Sequence, residues 1–327
     1  MPKRNKHYIQ SIIKNRHITL IEGFLFLSIF ILSLIAGSKY VGGDQKYYRI
    51  VYNQLRTYSL FKGYLYYSLS LDSFEVVHFL IDWIFCRILP KDLVMSLFNA
   101  LLGVILYRLL RKWGADRFNA LFIALTNYYM LVLYFAAERL KFGFLLFGIG
   151  LLSNDKKIKE LFCSLSIFGH IQMAILFLAM KVETYFKALI KIFSRLRISK
   201  SILIGIIIII GIFIIMSTQL VTKLSFYAFQ NIKIMDIAKT MVFFFGSFVF
   251  SRNKQKVVYM YLPIIVATFI VGSFRTNIFA YFLMLYFCIS NKKGYNLVIY
   301  STNIYYSIMS ISFLSQIFKY GSAFLSN

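Results

Sequence analysis

A chain of 327 residues that is 59% hydrophobic and 19% aromatic, with a mean hydropathy of +0.70, carries more apolar material than a water-soluble domain can hide. Its net charge of +25 comes from basic residues lying between apolar runs, with no compact basic domain, which excludes a nucleic-acid binder. Apolar–polar alternation of the β-barrel kind is missing, so an all-α polytopic membrane protein is the class left standing.

In chain order, "MPKRNKHYIQSIIKNRH" reads as a retained cytoplasmic flank to a first span at 18–36. Residues 37–90 are too polar to span and too rich in tyrosine for an ordinary loop. They predict a partly structured segment at the external interface. Within it, Glu75, His78, Asp82 and Arg87 fall on one face of a helix over 73–90, which favours a half-buried helix over a crossing.

Spans follow at 92–107, 118–135 and 141–152. They deliver the basic loops "YRLLRKWGADR" and "SNDKKIKE" to the cytoplasm and "AERLK" to the outside. Reading the next apolar stretch as one span would export "KVETYFKALIKIFSRLRISK". Two half-helices meeting at Gly169–His170 keep both ends inside and place His170 near an external cavity. Further spans at 201–216, about 236–250, 257–274, 276–290 and 296–314 bring the expected total to about nine crossings plus a re-entrant half-helix pair, in a single domain over 1–327. The three cysteines, Cys86, Cys163 and Cys288, sit in apolar surroundings without metal-ligand spacing and read as small core hydrophobes.

Arg139, His170 and Arg275 then converge on the external side near span ends, with Asp44 on the first external loop. Arginine is the planar, permanently charged fork suited to phosphates. An ionisable group inside a bilayer costs about 2.5–3.5 kcal/mol on insertion scales. Each residue also has a plainer reading. Arg139 and Arg275 could snorkel to the interface, His170 could be a core histidine, and Asp44 could cap the turn after its paired glycines. Glu138 could simply neutralise a neighbouring cation. Tyr47, Tyr48, Tyr64 and Tyr67 suit an interfacial belt, although sugar stacking would use the same side chains. No nucleotide loop, paired-aspartate metal motif, cysteine–histidine ligand set or nucleophile elbow is present in the sequence.

The succession "GGDQKYYRIVY", "AAERLKFGF", "LSIFGHIQMAILFL" and "SFRTNIFAYFLMLYF" resembles the EpsG-like polysaccharide polymerases, within the wider Wzy-type O-antigen and capsule polymerases. The resemblance runs from about residue 37 to 290 through sparse motifs. Asp44 with Tyr47 and Tyr48, Arg139, His170, and Arg275 with Tyr281 fill the family's places. Leu140 and Lys141 follow Arg139 where the family often has Gln, which makes Lys141 a substitute for that polar contact.

The resemblance implies a glycosyltransferase-C-like helical bundle in the bacterial inner membrane, working without a metal or other cofactor at the periplasmic face. Its partners would be undecaprenyl diphosphate-linked oligosaccharides and a chain-length regulator protein. The implied reaction moves a growing glycan from one lipid diphosphate onto a hydroxyl of another lipid-linked unit, as in lipopolysaccharide O-antigen synthesis. Arg139 and Arg275, with Lys141, would meet the leaving diphosphate. His170 or Asp44 would take the acceptor proton. Tyr47, Tyr48 and Tyr281 would contact sugar. The alternative is a flippase or transporter of lipid-linked oligosaccharide, which needs cations along a central path and not on one face. A membrane scaffold is the third reading.

Overall fold

The computed structural model describes residues 3–195 and 234–324. The described residues form fourteen α-helices and two short 3-10 turns, and no strand occurs among them. They fall into two compact units. One comprises Met1–Met173 with Tyr300–Asn327, the other Ala174–Ile299.

The first unit begins with α1 (Lys3–Lys39), which packs lengthwise on α5 (Lys91–Lys112). Between them, three short helices, α2 (Asp44–Gln54), α3 (Leu60–Leu71) and α4 (Val76–Phe85), make up the tyrosine-rich segment. They close around Val51, Tyr52, Leu55, Tyr67, Phe79, Cys86 and Val94, a small apolar core of their own. Arg49 ties this subdomain down with a fork onto Asp92 at 2.7 and 3.0 Å and a bond to the Gly37 carbonyl at 2.6 Å. Gly43 opens α2 at φ 57°, a backbone position that suits glycine, and Asp44 follows in the first turn, where a carboxylate faces the positive helix end.

Four further helices complete the unit before its C-terminal return: α6 (Arg117–Thr126), α7 (Tyr128–Phe135), α8 (Glu138–Leu152) and α9 (Lys156–Gly169). α8 and α9 make the most extensive helix pairing among the described residues. Glycines permit it: a Cβ on Gly169 would lie 2.8 Å from the Gly143 Cα and backbone nitrogen. α10 (Met173–Arg195) starts just beyond the break at His170.

In the second unit, α11 (Ile234–Phe250), α12 (Lys254–Val271) and α13 (Ser273–Cys288) pack on one another. Tyr261 is fully buried, and its hydroxyl shares hydrogen bonds with Ser247 Oγ at 2.8 Å and the Ala280 carbonyl at 2.8 Å. α14 (Leu297–Tyr320) begins in this unit and finishes in the first.

Three stretches among the described residues are long and apolar enough to cross a membrane: Leu20–Lys39, Lys91–Lys112 and Asn291–Tyr320. The pair α6–α7, bent by 51° at Asn127, makes at most a fourth. The expected nine crossings, and with them the nine-crossing glycosyltransferase-C-like bundle, are overturned. The reason is helix length. At 1.5 Å per residue, α8 with 15 residues and α13 with 16 reach about 22–24 Å, short of a hydrocarbon core of about 30 Å. The span expected at 118–135 breaks where the Asn127 side chain caps α7 by accepting from the Tyr129 amide. The chain does break at Gly169–His170, yet α9 with α10 is not among the helix pairs of the described residues that qualify as a broken span or re-entrant loop, so the re-entrant half-helix pair falls too. The expected span at 201–216 lies outside the described residues.

Candidate functional site

Residues of α4 and its N-terminal boundary, α5, α8 and the α9–α10 break bring eight ionisable side chains into the interior of the first unit. Glu75, His78, Asp82, Lys91, Glu138, Lys141 and His170 are all buried, and the side chain of Arg139 is 14% exposed. Burying such groups is expensive unless each is paired and hydrogen-bonded, so the pairing pattern is the informative feature.

Glu75 stands at the start of α4 and holds two of the sequence-predicted residues at once. Its Oε1 lies 2.6 Å from His170 Nδ1 and its Oε2 lies 2.9 Å from Arg139 Nη1. Ser73 Oγ also donates to Oε2. Burial alone would raise the Glu75 carboxyl. The His170 ring and the Arg139 guanidinium outweigh it and hold the carboxyl well below the usual carboxylate range. An ionised carboxylate only accepts, so His170 Nδ1 carries the proton of this bond, which makes Nε2 the basic nitrogen of the neutral ring. Arg139 completes the array by donating Nε–H to Tyr48 Oη at 3.0 Å. Burial pushes the Tyr48 phenol up to about 12.

A second array centres on Glu138, in the first turn of α8. Lys91 Nζ lies 2.7 Å from Oε2, Gln45 Nε2 lies 2.8 Å from the same oxygen, and His78 Nε2 lies 3.2 Å from Oε1. Burial would raise this carboxyl as well, but Lys91 and His78 hold it well below the usual range. His78 Nδ1 lies 2.9 Å from Tyr67 Oη. Lys141 turns to Asn99, its Nζ 2.7 Å from Oδ1. A small, partly open pocket of about 20 Å³ borders this array and is lined by Arg49, Lys91, Ser96, Asn99, Glu138 and Lys141.

The structure thus brings Arg139 and His170 together through Glu75, adds Tyr48 through Arg139, and places Lys141 in the same buried region. Asp44 and Tyr47 are exposed on α2. Arg275 is half-buried in the first turn of α13, and Tyr281 is buried there against Phe243, both in the second unit. Sequence reading assigned no role to Gln45 or Lys91 and gave Glu138 only a neutralising one. Glu75, His78 and Asp82 were visible as a one-faced set without a partner. The missing signal is long-range, since Lys91 and Glu138 are 47 positions apart and His170 and Glu75 are 95 apart. Among the described residues, His78, Asp82 and Glu138 also bring one ligand atom each to within 4.8 Å of the others, a set able to hold a metal ion.

No family model, curated protein or solved structure matches this chain.

Proposed function

We propose that the chain is a bacterial membrane glycosyltransferase of the polysaccharide-polymerase kind, acting on glycans carried by undecaprenyl diphosphate at the periplasmic face of the inner membrane. The three apolar helices support a membrane setting, and the motif resemblance supports the substrate class. The observation that carries the reading is Glu75 bridging His170 at 2.6 Å and Arg139 at 2.9 Å in a buried site. That arrangement sets a base of fixed tautomer beside a permanent cation, which is what transfer from a diphosphate to a hydroxyl requires.

In the proposed step the acceptor hydroxyl gives its proton to His170 Nε2 as its oxygen bonds to the anomeric carbon. The bond from that carbon to the diphosphate oxygen breaks, and the electron pair leaves with the diphosphate. Glu75 steadies the imidazolium that forms, in the manner of a carboxylate orienting a histidine base. Arg139 offsets the charge gathering on the leaving group. Asp44 is exposed, so His170 is the stronger candidate for the base.

The test is polymer length in cells depending on this chain. Arg139→Ala and His170→Ala, each confirmed in the membrane fraction, are expected to lower long-chain glycan by about 10²-fold or more. Full-length polymer from both variants would overturn the assignment.

A further inference from the structure

Among the described residues of the first unit, Asp82 is a buried carboxylate that accepts no hydrogen bond, and its ion-pair contact is to His78 Nδ1 at 3.5 Å. Its side chain is 1% exposed, and neither oxygen has a hydrogen-bond partner. Fully buried carboxylates persist when a cation or a set of donors compensates them. Glu75 and Glu138 show the rule in this same region, and Asp82 departs from it.

Its surroundings specify what is missing. His78 lies one helical turn before Asp82 on α4, with Nδ1 3.5 Å from Asp82 Oδ2. Glu138 enters from α8, with Oε1 3.2 Å from His78 Nε2. The three residues offer ligand atoms within 4.8 Å of one another, all shielded from solvent. Bonds of about 2.0–2.2 Å to a single ion would draw these ligand atoms inward from that spacing. An i, i+4 pair on one helix plus a third ligand from another is how helical proteins build such sites.

We infer that His78, Asp82 and Glu138 bind one divalent transition-metal ion of the zinc or manganese class. One imidazole with two carboxylates suits those ions better than magnesium or calcium, which take oxygen donors throughout. Three protein ligands leave coordination positions open. The second shell is in place. With Nε2, the nitrogen 3.2 Å from Glu138 Oε1, on the ion, the His78 proton moves to Nδ1 and is donated to Tyr67 Oη, 2.9 Å away, while the Asp82 carboxylate must turn from the Nδ1 side of the ring to the Nε2 side. Lys91 keeps a partner outside the ion, since its Nζ also lies 2.9 Å from Gln45 Oε1. The inference stands apart from the proposed transfer reaction, because neither His170 nor Arg139 belongs to the ligand set.

The experiment is calorimetric titration of chelator-treated, detergent-purified full-length protein with Zn²⁺ and Mn²⁺, with bound metal counted by elemental analysis. Wild type is expected to take up one equivalent of one of the two. Asp82→Asn is expected to bind at least ten-fold more weakly, and Tyr67→Phe about 10–100-fold more weakly. Tyr261→Phe, in the second unit and outside the ligand set, is expected to bind as wild type does. In chelator, Asp82→Asn should melt no lower than wild type, since it removes an uncompensated charge. Added metal should then raise the wild-type midpoint alone. Failure of wild type to bind either ion above a detergent blank would overturn the inference, as would equal binding by Asp82→Asn.

Discussion

The two units solve the problem of buried polarity in opposite ways. In the first, acids, lysines, an arginine and histidines are drawn inside and paired across three helices and a helix break. In the second, the described buried polar residues are neutral: Thr240, Ser247, Thr268, Thr276, Asn277 and Asn296. Their bonds are short-range or join neighbouring helices, such as Thr240 to Asn277 at 2.8 Å and Thr268 to Thr276 at 3.1 Å. Neutral hydrogen bonds contribute about 0.5–1.5 kcal/mol each and suit a structural role. Buried ion pairs often only break even as stabilisers, so a connected set of them points to chemistry. The contrast supports the proposal that the functional part of the chain lies in the first unit, around Glu75.

Replacing Glu75 by Gln is the hardest blow to that contrast. It leaves Arg139 buried without a counter-charge and frees His170 from its anchor, for a cost of about 3–5 kcal/mol. The thermal midpoint should drop, and long-chain glycan should be lost together with it. The same substitution changes the pH profile. The Glu75 carboxyl is depressed in the folded protein, so its stabilisation is complete above the ordinary glutamate value of about 4.3 and is lost as the pH falls below that toward the folded value. Acid unfolding followed by circular dichroism should therefore be shallower in Glu75→Gln than in wild type. Equal acid profiles would mean that Glu75 does not hold the pair.

Gly169→Ala probes the backbone that delivers His170. The new Cβ would meet backbone atoms of Gly143 at 2.8 Å, so α9 must shift away from α8, at about 1–3 kcal/mol. Glycan length should shorten even though no ionisable group has changed. Normal polymer from a destabilised Gly169→Ala protein would show that His170 need not be held in this position.

The second unit supplies the mildest case. Tyr261→Phe removes a fully buried hydroxyl bonded to Ser247 and to the Ala280 carbonyl. A loss of about 1–2 kcal/mol in thermal stability is expected, with polymer length unchanged. A loss of polymer without a loss of stability would erase the division of labour between the units.

Much of the first unit could be read from sequence because its signals are local. The apolar runs in α1, α5 and α14 are unbroken, and Gly169–His170 marks a true helix break. The one-faced set Glu75, His78 and Asp82 does lie on a buried face of α4 and its N-terminal boundary. Crossing number was not legible, because hydropathy does not show where capping side chains cut an apolar run. Asn127 ends α6 and caps α7 inside a stretch that reads as continuous, and Asp155 caps α9 by accepting from the Lys157 and Ile158 amides. The partners of the site were hidden for a different reason. Glu138 lies next to Arg139 in sequence but bonds to Lys91, while Arg139 bonds to Glu75, so neighbours in the chain gave the wrong pairing.

The proposed transfer of glycan between lipid diphosphates by the buried Glu75–His170–Arg139 array can be observed outside the cell. Its most direct test is to incubate purified protein with undecaprenyl diphosphate-linked repeat units in detergent and resolve the products by size. Wild type should give a ladder of lengthening glycans and Arg139→Ala none. A ladder of equal length from Arg139→Ala would contradict this assignment. Movement of the lipid-linked sugar across vesicles by wild type, with no ladder under either condition, would contradict it in favour of a transporter.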